Sequence, residues 1–337
     1  MPELTEVEDY RRVLLLLKAE NSKAQKEEPK EERKRGRRSR RTSNASTISE
    51  NNSTSTLIIE TPSPTPPKNF PSKSELALLK KCHVTDVERK GKLLRVLLQQ
   101  PNKDEIHYMY IAMGMTGRIS SKEYIPTLES LTNDTEFPPP HTHMIMKSGE
   151  NIIGFSDSRR FGGISFGDPY EKQWNEFATD AMDPSASLEN CVGQKKTIKG
   201  LLLDQRFAVS GIGNWIADEM LYQSEVHPDQ AFLTKQEVTS LEKSLVHILH
   251  TGNECLMNGK EFPADWLFHR RWSKAKAKAP KDHNDKTVKF INSGGRTAAF
   301  VPTIQKLKKR KAPADKDSTG ENIEKKGSRS SKRKKSS

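Results

Sequence analysis

The sequence predicts an α+β chain: a β-sandwich or barrel lobe headed by one helix, then a helical domain ending in a β-hairpin, with basic low-complexity segments between and after. Three observations predict it. The first residues carry a helical apolar period, short punctuated strands fill about 82–167, and helical patterning resumes over about 171–258.

Composition sets the frame. Only 33% of the 337 residues are apolar, against about 45–50% in ordinary globular chains. The deficit is concentrated in two stretches, 19–55 and 303–337, which are nearly free of aromatic residues and are expected to be disordered. Charge follows the same division. Residues 304–337 hold 13 Lys/Arg against 4 Asp/Glu and residues 21–50 hold 10 against 5, which leaves the rest near −1 of a total of +13. Basic arms of this kind attract nucleic acid without sequence preference, while any specificity resides in the folded part. The runs Lys34-Arg35-Gly36-Arg37-Arg38 and Lys332-Arg333-Lys334-Lys335 suggest nuclear import. Cys82, Cys191 and Cys255 are odd in number and in no metal-type spacing, and no apolar run approaches 18 residues. An intracellular, soluble chain with reduced thiols is expected, with no membrane association, metal or cofactor.

The elements follow in order. Val7, Tyr10, Leu14 and Leu17 keep the helical period, and Thr5 with Glu8 has capping-box spacing, so Pro2 and Glu3 sit just ahead of a helix. After the polar insert, 56–60 reads as a possible strand and 62–71 as a linker. Ser72 and Glu75 form a second capping box before a short helix. Strands are expected at 92–98, 106–112, 143–147, 151–155 and 163–166, and helices at 194–205, 214–223 and 235–249. Two strands, 287–292 and 297–301, join across Ser293-Gly294-Gly295-Arg296. The expected layout is an N-terminal helix at 1–18, the insert and linker at 19–70, the β lobe at 71–168, the helical domain at 169–258, the hairpin region at 259–303 and the tail at 304–337.

The opening MPELTEVE is the most specific signal. A small second residue permits removal of the initiator Met, which would leave Pro2 with a free secondary amine. An α-amino group titrates near 7.7–8.0 or so, and a useful fraction is then a neutral nucleophile at pH 7. This opening resembles the MPELPEVE start of the formamidopyrimidine-DNA glycosylase and endonuclease VIII family. Four further segments resemble that family in the same order, over most of 1–17 and 70–305.

The resemblance implies a role for each matching residue. Pro2 attacks the sugar of a damaged nucleotide, and Glu3 protonates the ring oxygen or stabilises developing positive charge. In Arg89-Lys90-Gly91-Lys92-Leu93, Lys92 opens a strand beside the nucleophile, where a cation depresses the amine's pKa and holds a phosphate. In Met113-Gly114-Met115-Thr116-Gly117 and Asp157-Ser158-Arg159-Arg160-Phe161-Gly162, residues Met115, Arg159 and Phe161 form the wedge that fills the gap left by an extruded nucleotide, and Arg160 contacts phosphate. The stretch from Thr197-Ile198-Lys199 through Gly211-Ile212-Gly213-Asn214-Trp215-Ile216-Ala217-Asp218-Glu219 resembles the family's helix–two-turn–helix. There Gly213 allows close backbone approach, free amides at a helix start cradle phosphate, and Lys199 and Asn214 grip the DNA backbone.

The chain also departs from bacterial members. No Cys follows Cys255, so a four-cysteine zinc finger is excluded, and Gly294-Gly295-Arg296-Thr297 resembles the zincless finger of plant and fungal members, with Arg296 on phosphate. The 251–270 segment is short beside that of bacterial members, which hold oxidised guanine under a loop there, so the resemblance implies formamidopyrimidines, hydantoins and abasic sites over 8-oxoguanine as substrates. His141 and His143 lack companion ligands and read as structural. A strand pair that should follow the first helix is replaced by the insert. Either 56–60 supplies the missing edge, or the insert is not in the expressed protein, or the lobe is compromised and the chain binds damaged DNA without catalysis. The resemblance thus implies a monomeric, nuclear bifunctional glycosylase and lyase acting on damaged double-stranded DNA.

Overall fold

The computed structural model describes residues 2–18, 56–126, 136–273 and 279–310. The insert over 19–55 and the tail over 311–337, with both basic runs, lie outside the described residues, whereas 303–310, expected to be disordered, is held to the helical lobe by buried Gln305 and by Arg310, which donates to Glu237 at 2.7 Å.

The first helix, α1 (Leu4–Leu15), buries Val7, Tyr10 and Leu14, and Leu17 follows them, each at most 1% exposed, as the periodicity required. Its cap differs from the expected Thr5–Glu8 pair. Glu3 is the N-cap, and Glu6 accepts from the Glu3 N–H at 3.2 Å. The helix therefore begins earlier than the box implied, and Thr5 is buried with its hydroxyl donating to Glu6 at 2.8 Å.

Strand β1 (Ile58–Glu60) follows, then α2 (Lys73–Leu79), opened by the expected Ser72–Glu75 capping box. Strands β2 (His83–Lys90), β3 (Leu93–Gln99), β4 (Ile106–Ala112), β5 (Arg118–Ser121), β6 (Thr142–Ser148), β7 (Asn151–Ser156) and β8 (Gly163–Ser165) complete the lobe. They form two antiparallel sheets of four, ordered β1-β6-β7-β5 and β2-β3-β4-β8. One continuous apolar core, including Tyr10, Leu57, Val96, Met144 and Phe155, lies between them. The short β1 pairs along β6, with Ile58 opposite Lys147, and so supplies a sheet edge from the segment after the insert.

The helical lobe contains α3 (Tyr170–Glu176), α4 (Ile198–Leu203), α5 (Asn214–Gln223) and α6 (Lys235–Met257). Helix α4 is shorter than its apolar pattern because Thr197 caps it, accepting from the Gly200 N–H. Helix α6 runs past its expected end at 249. Gly252 is tolerated inside it because it lies against α1, where an added Cβ would sit 3.1 Å from the Thr5 methyl. The chain closes with the hairpin β9 (Lys289–Ser293) and β10 (Arg296–Phe300), joined by Gly294 and Gly295 at φ +58° and +74°. Positive φ at both turn residues suits the twist of a two-residue hairpin and favours glycine there.

Helix α1 belongs to both lobes. Leu4 is buried in the helical core while Val7 onward faces the sandwich. A buried clasp reinforces the junction. Arg89 donates through Nε to Glu8 at 2.8 Å and through Nη2 to Asp180 at 2.9 Å, and the Gly91 N–H donates to Asp180 at 2.6 Å. Residue 2 is thereby held at the seam between the lobes.

Candidate active site

Pro2 is buried at the head of α1, and the side chain after it fixes its place. Glu3 is 2% exposed and reaches across the seam to the start of α5, accepting from the Trp215 N–H at 2.8 Å and the Ile216 N–H at 3.1 Å. A carboxylate on the first amides of a helix satisfies orphan donors and meets the positive end of the helix dipole. Gly213 makes room for it: a Cβ there would lie 2.3 Å from Glu3 Cδ. These contacts correct the expectation of a phosphate cradle of free amides, since two of the first amides of α5 are taken by the protein's own carboxylate.

Lys92, half-buried at the mouth of β3, donates to the Ile212 carbonyl at 3.5 Å. Burial pushes its ammonium below the ordinary lysine range, Glu3 and Glu6 oppose that shift, and Arg296 adds to it. The Glu3 carboxyl moves the other way. Burial raises it, Lys92 opposes, and Glu6 adds. Two carboxyls, one lysine and the imino acid therefore share a desolvated spot, with Arg296 of the hairpin within electrostatic reach.

The other motif residues meet on two interlocked loops. Asp157, 1% exposed, accepts from the Gly162 N–H at 2.7 Å, the Arg159 N–H at 3.2 Å and the Thr116 hydroxyl. Thr116 in turn accepts from the Arg159 N–H at 3.1 Å. The loops touch glycine to glycine, since a Cβ on Gly114 would lie 2.3 Å from Gly162 N. At the tip Met115 and Phe161 project, 38% and 61% exposed, and the Arg159 guanidinium stacks 4.9 Å from the Phe161 ring centre. Exposed apolar side chains on so tightly bound a base suit insertion between stacked bases. Arg160 is exposed beside them, at φ +55°.

Other expected residues fall differently. Lys199 does not face solvent. It is fully buried, ion-paired to Asp218, and donates to the Thr297 carbonyl at 3.1 Å, so its expected grip on DNA is replaced by a structural role. Asn214 also donates to Thr297 O, at 3.1 Å, and remains half-exposed. Arg296 is exposed at the hairpin turn. His143 is buried and hydrogen-bonded to the Asp157 carbonyl at 3.0 Å, in keeping with a structural reading. Among the described residues no three His, Cys, Asp or Glu side chains cluster to hold a metal, and no helix is long and apolar enough to cross a membrane. Asp157, Asp180 and Asp218, which organise the loops, the clasp and the hairpin, were not picked out from sequence. Asp157 and Asp218 each stand inside a matched motif, and Asp180 in none.

The formamidopyrimidine-DNA glycosylase N-terminal domain matches residues 37–164, and the H2TH domain of the same enzymes matches residues 175–261. A formamidopyrimidine-DNA glycosylase of Arabidopsis thaliana is 32% identical over 249 residues, 70% of this chain and 61% of that protein. One of Gluconobacter oxydans is 26% identical over 246 residues, 66% of this chain and 83% of that protein. Among solved structures, the Lactococcus lactis enzyme with abasic-site DNA superposes with a TM-score of 0.58 at 20% identity, covering 90% of this chain and 99% of that one. The Thermus thermophilus enzyme gives 0.58 at 21%, covering 91% and 100%. These structures share the fold. The chain belongs to the formamidopyrimidine-DNA glycosylase family, a family of DNA-binding repair glycosylases.

Proposed function

We propose that the protein is a bifunctional DNA glycosylase and abasic-site lyase of the zincless-finger type, acting on formamidopyrimidines, hydantoins and abasic sites in double-stranded DNA. The observation that carries this reading is the Glu3 carboxylate, bound across the lobe seam to α5 with Lys92 beside it, which holds residue 2 where an extruded deoxyribose would enter. With Met1 removed, the neutral Pro2 nitrogen attacks C1′ and the base departs with the electrons of its glycosidic bond, taking up a proton. The sugar ring opens as O4′ receives a proton through Glu3, whose carboxyl is raised by burial. The resulting iminium acidifies C2′. Loss of that proton expels the 3′ phosphate, a second elimination expels the 5′ phosphate, and water hydrolyses the remaining iminium to regenerate Pro2. Lys92, carrying positive charge, lowers the amine's proton affinity and draws in a phosphate.

Met115, Arg159 and Phe161 fill the vacated stack, and Arg160, Asn214 and Arg296 contact phosphates. A catalytically impaired DNA-binding protein would need a first lobe unable to bring Lys92 to the N-terminus. Lys92 reaches the Ile212 carbonyl while Glu3 takes the Trp215 and Ile216 amides of the next turn, which argues against that. We further propose that the protein acts as a monomer and that the basic runs at 34–38 and 332–335 direct it to the nucleus. Borohydride reduction during incubation with abasic-site duplex tests the chemistry. A covalent adduct is expected from the processed protein and none when an N-terminal tag blocks residue 2. Equal trapping with the tag in place would refute the assignment.

A further inference from the structure

We propose that Asp218 is a positioning residue whose buried carboxylate fastens the β9–β10 hairpin to α4 and α5 and thereby sets where Arg296 meets a DNA phosphate. The proposal rests on the DNA-binding reading above.

Asp218 is fully buried, yet it faces two cations and an amide. One oxygen pairs with Lys199. The other accepts from Arg271 Nη2 at 3.1 Å and from the Ala299 N–H of β10 at 3.1 Å. Lys199 and Asn214 then both donate to the Thr297 carbonyl, two residues along the same strand, each at 3.1 Å. The turn rests on α4 as well, where a Cβ on Gly294 would come within 2.8 Å of the Gly200 backbone. A lone two-stranded hairpin is marginal in water, so its placement must come from what holds it. Among the described residues no metal-binding cluster is present to do so. Asp218 receives the β10 amide directly and neutralises Lys199, which holds the Thr297 carbonyl. Arg296 is the residue before Thr297, is exposed, and is felt electrostatically at Lys92. Fixing Thr297 and Ala299 therefore fixes the strand end from which Arg296 projects.

Removing Asp218 alone strands two buried cations and invites unfolding, so the test replaces the group as a unit: Asp218→Leu with Lys199→Met and Arg271→Met, since apolar substitutes for buried ion pairs are often tolerated. Amide hydrogen exchange reads the fastening without DNA. Protection across 289–300 is expected to fall at least about ten-fold while α6 is unchanged. A change confined to the Ala299 amide overturns the proposal.

Binding to a duplex containing a tetrahydrofuran abasic analogue reads the positioning. Arg296→Ala and the triple variant are each expected to weaken Kd about ten-fold and to flatten the log–log salt slope by about one unit. Together they are expected to add no more than about two-fold beyond either, as non-additivity within one linked network requires. Effects that multiply fully overturn the proposal. Should the triple variant lack a cooperative melt, Lys199→Met decides, since Asp218 then keeps its pairing with Arg271, with partial loss of hairpin protection expected and full retention overturning the idea. The analogue cannot react with Pro2. A lyase failure with the binding cycle intact sinks the chemistry and leaves the fastening standing.

Discussion

Gly213→Ala tests the seam with one methyl group. The backbone at Gly213 has φ −111°, which any residue adopts, so the substitution acts through space rather than through strain. The new Cβ would lie 2.3 Å from Glu3 Cδ and 2.5 and 2.6 Å from its two oxygens, well inside contact. Glu3 is 2% exposed and cannot swing into water, so the carboxylate must leave the Trp215 and Ile216 amides. Hydrogen bonds to a charged group contribute about 1.5–3 kcal/mol each, and the stranded carboxylate adds a desolvation cost. A loss of about 3–5 kcal/mol is expected if the helix cap breaks and nothing relaxes. Displacement of Glu3 also moves Pro2, and an ångström-scale misplacement costs about a hundred-fold in rate. Chemical denaturation measures the first effect, and single-turnover incision of abasic duplex measures the second. Wild-type stability together with a wild-type single-turnover rate in Gly213→Ala would refute the reasoning.

Three further outcomes are expected. Phe161→Ala and Met115→Ala remove exposed side chains, so melting should shift by no more than about 0.5 kcal/mol while kcat/KM on duplex falls at least about ten-fold. A comparable loss on single-stranded abasic DNA would contradict the wedge role. Glu219, buried against the Phe268 amide, has its carboxyl raised by burial to about 7. Its folded form keeps a proton that the unfolded chain releases above about 4.5, so stability relative to Glu219→Gln should be full below that pH and decline as pH rises through 7, by on the order of 3 kcal/mol. Urea midpoints at pH 5 and pH 8 check this, and equal differences at both would contradict it. Deleting residues 311–337, which spares the Gln305 and Arg310 contacts to the helical lobe, should weaken DNA binding and flatten its salt dependence while lesion preference survives. Fluorescence anisotropy across a salt series measures both, and complete loss of binding would place recognition in the tail.

What the sequence disclosed and what it hid divide along physical lines. Helix α5 and strand β4 have the bounds that their apolar patterns implied, because each sets a regular period against a core. Strand β2 escaped notice because a bulge between Val84 and Asp86 breaks its alternation, and β5 because Ile119 is its only apolar residue. The paired wedge loops were legible as motifs, but the Asp157 hydrogen bonds that bind them were not, since Thr116 lies 41 residues away. Lys199 illustrates the limit most sharply. A lysine near a helix start reads as a surface cation, and only the fold brings Asp218, Thr297 and the hairpin around it. Glu3 was expected to act in chemistry alone, and its capping of α5, 212 residues distant, has no local signature.

The most direct test of the central claim is to locate the bond. Processed protein reduced with borohydride on abasic-site DNA, digested and sequenced by mass spectrometry, should carry the deoxyribose remnant on the nitrogen of Pro2, with Met1 absent. A remnant on Lys92 or any other lysine, or an adduct on chain that still retains Met1, would contradict the account.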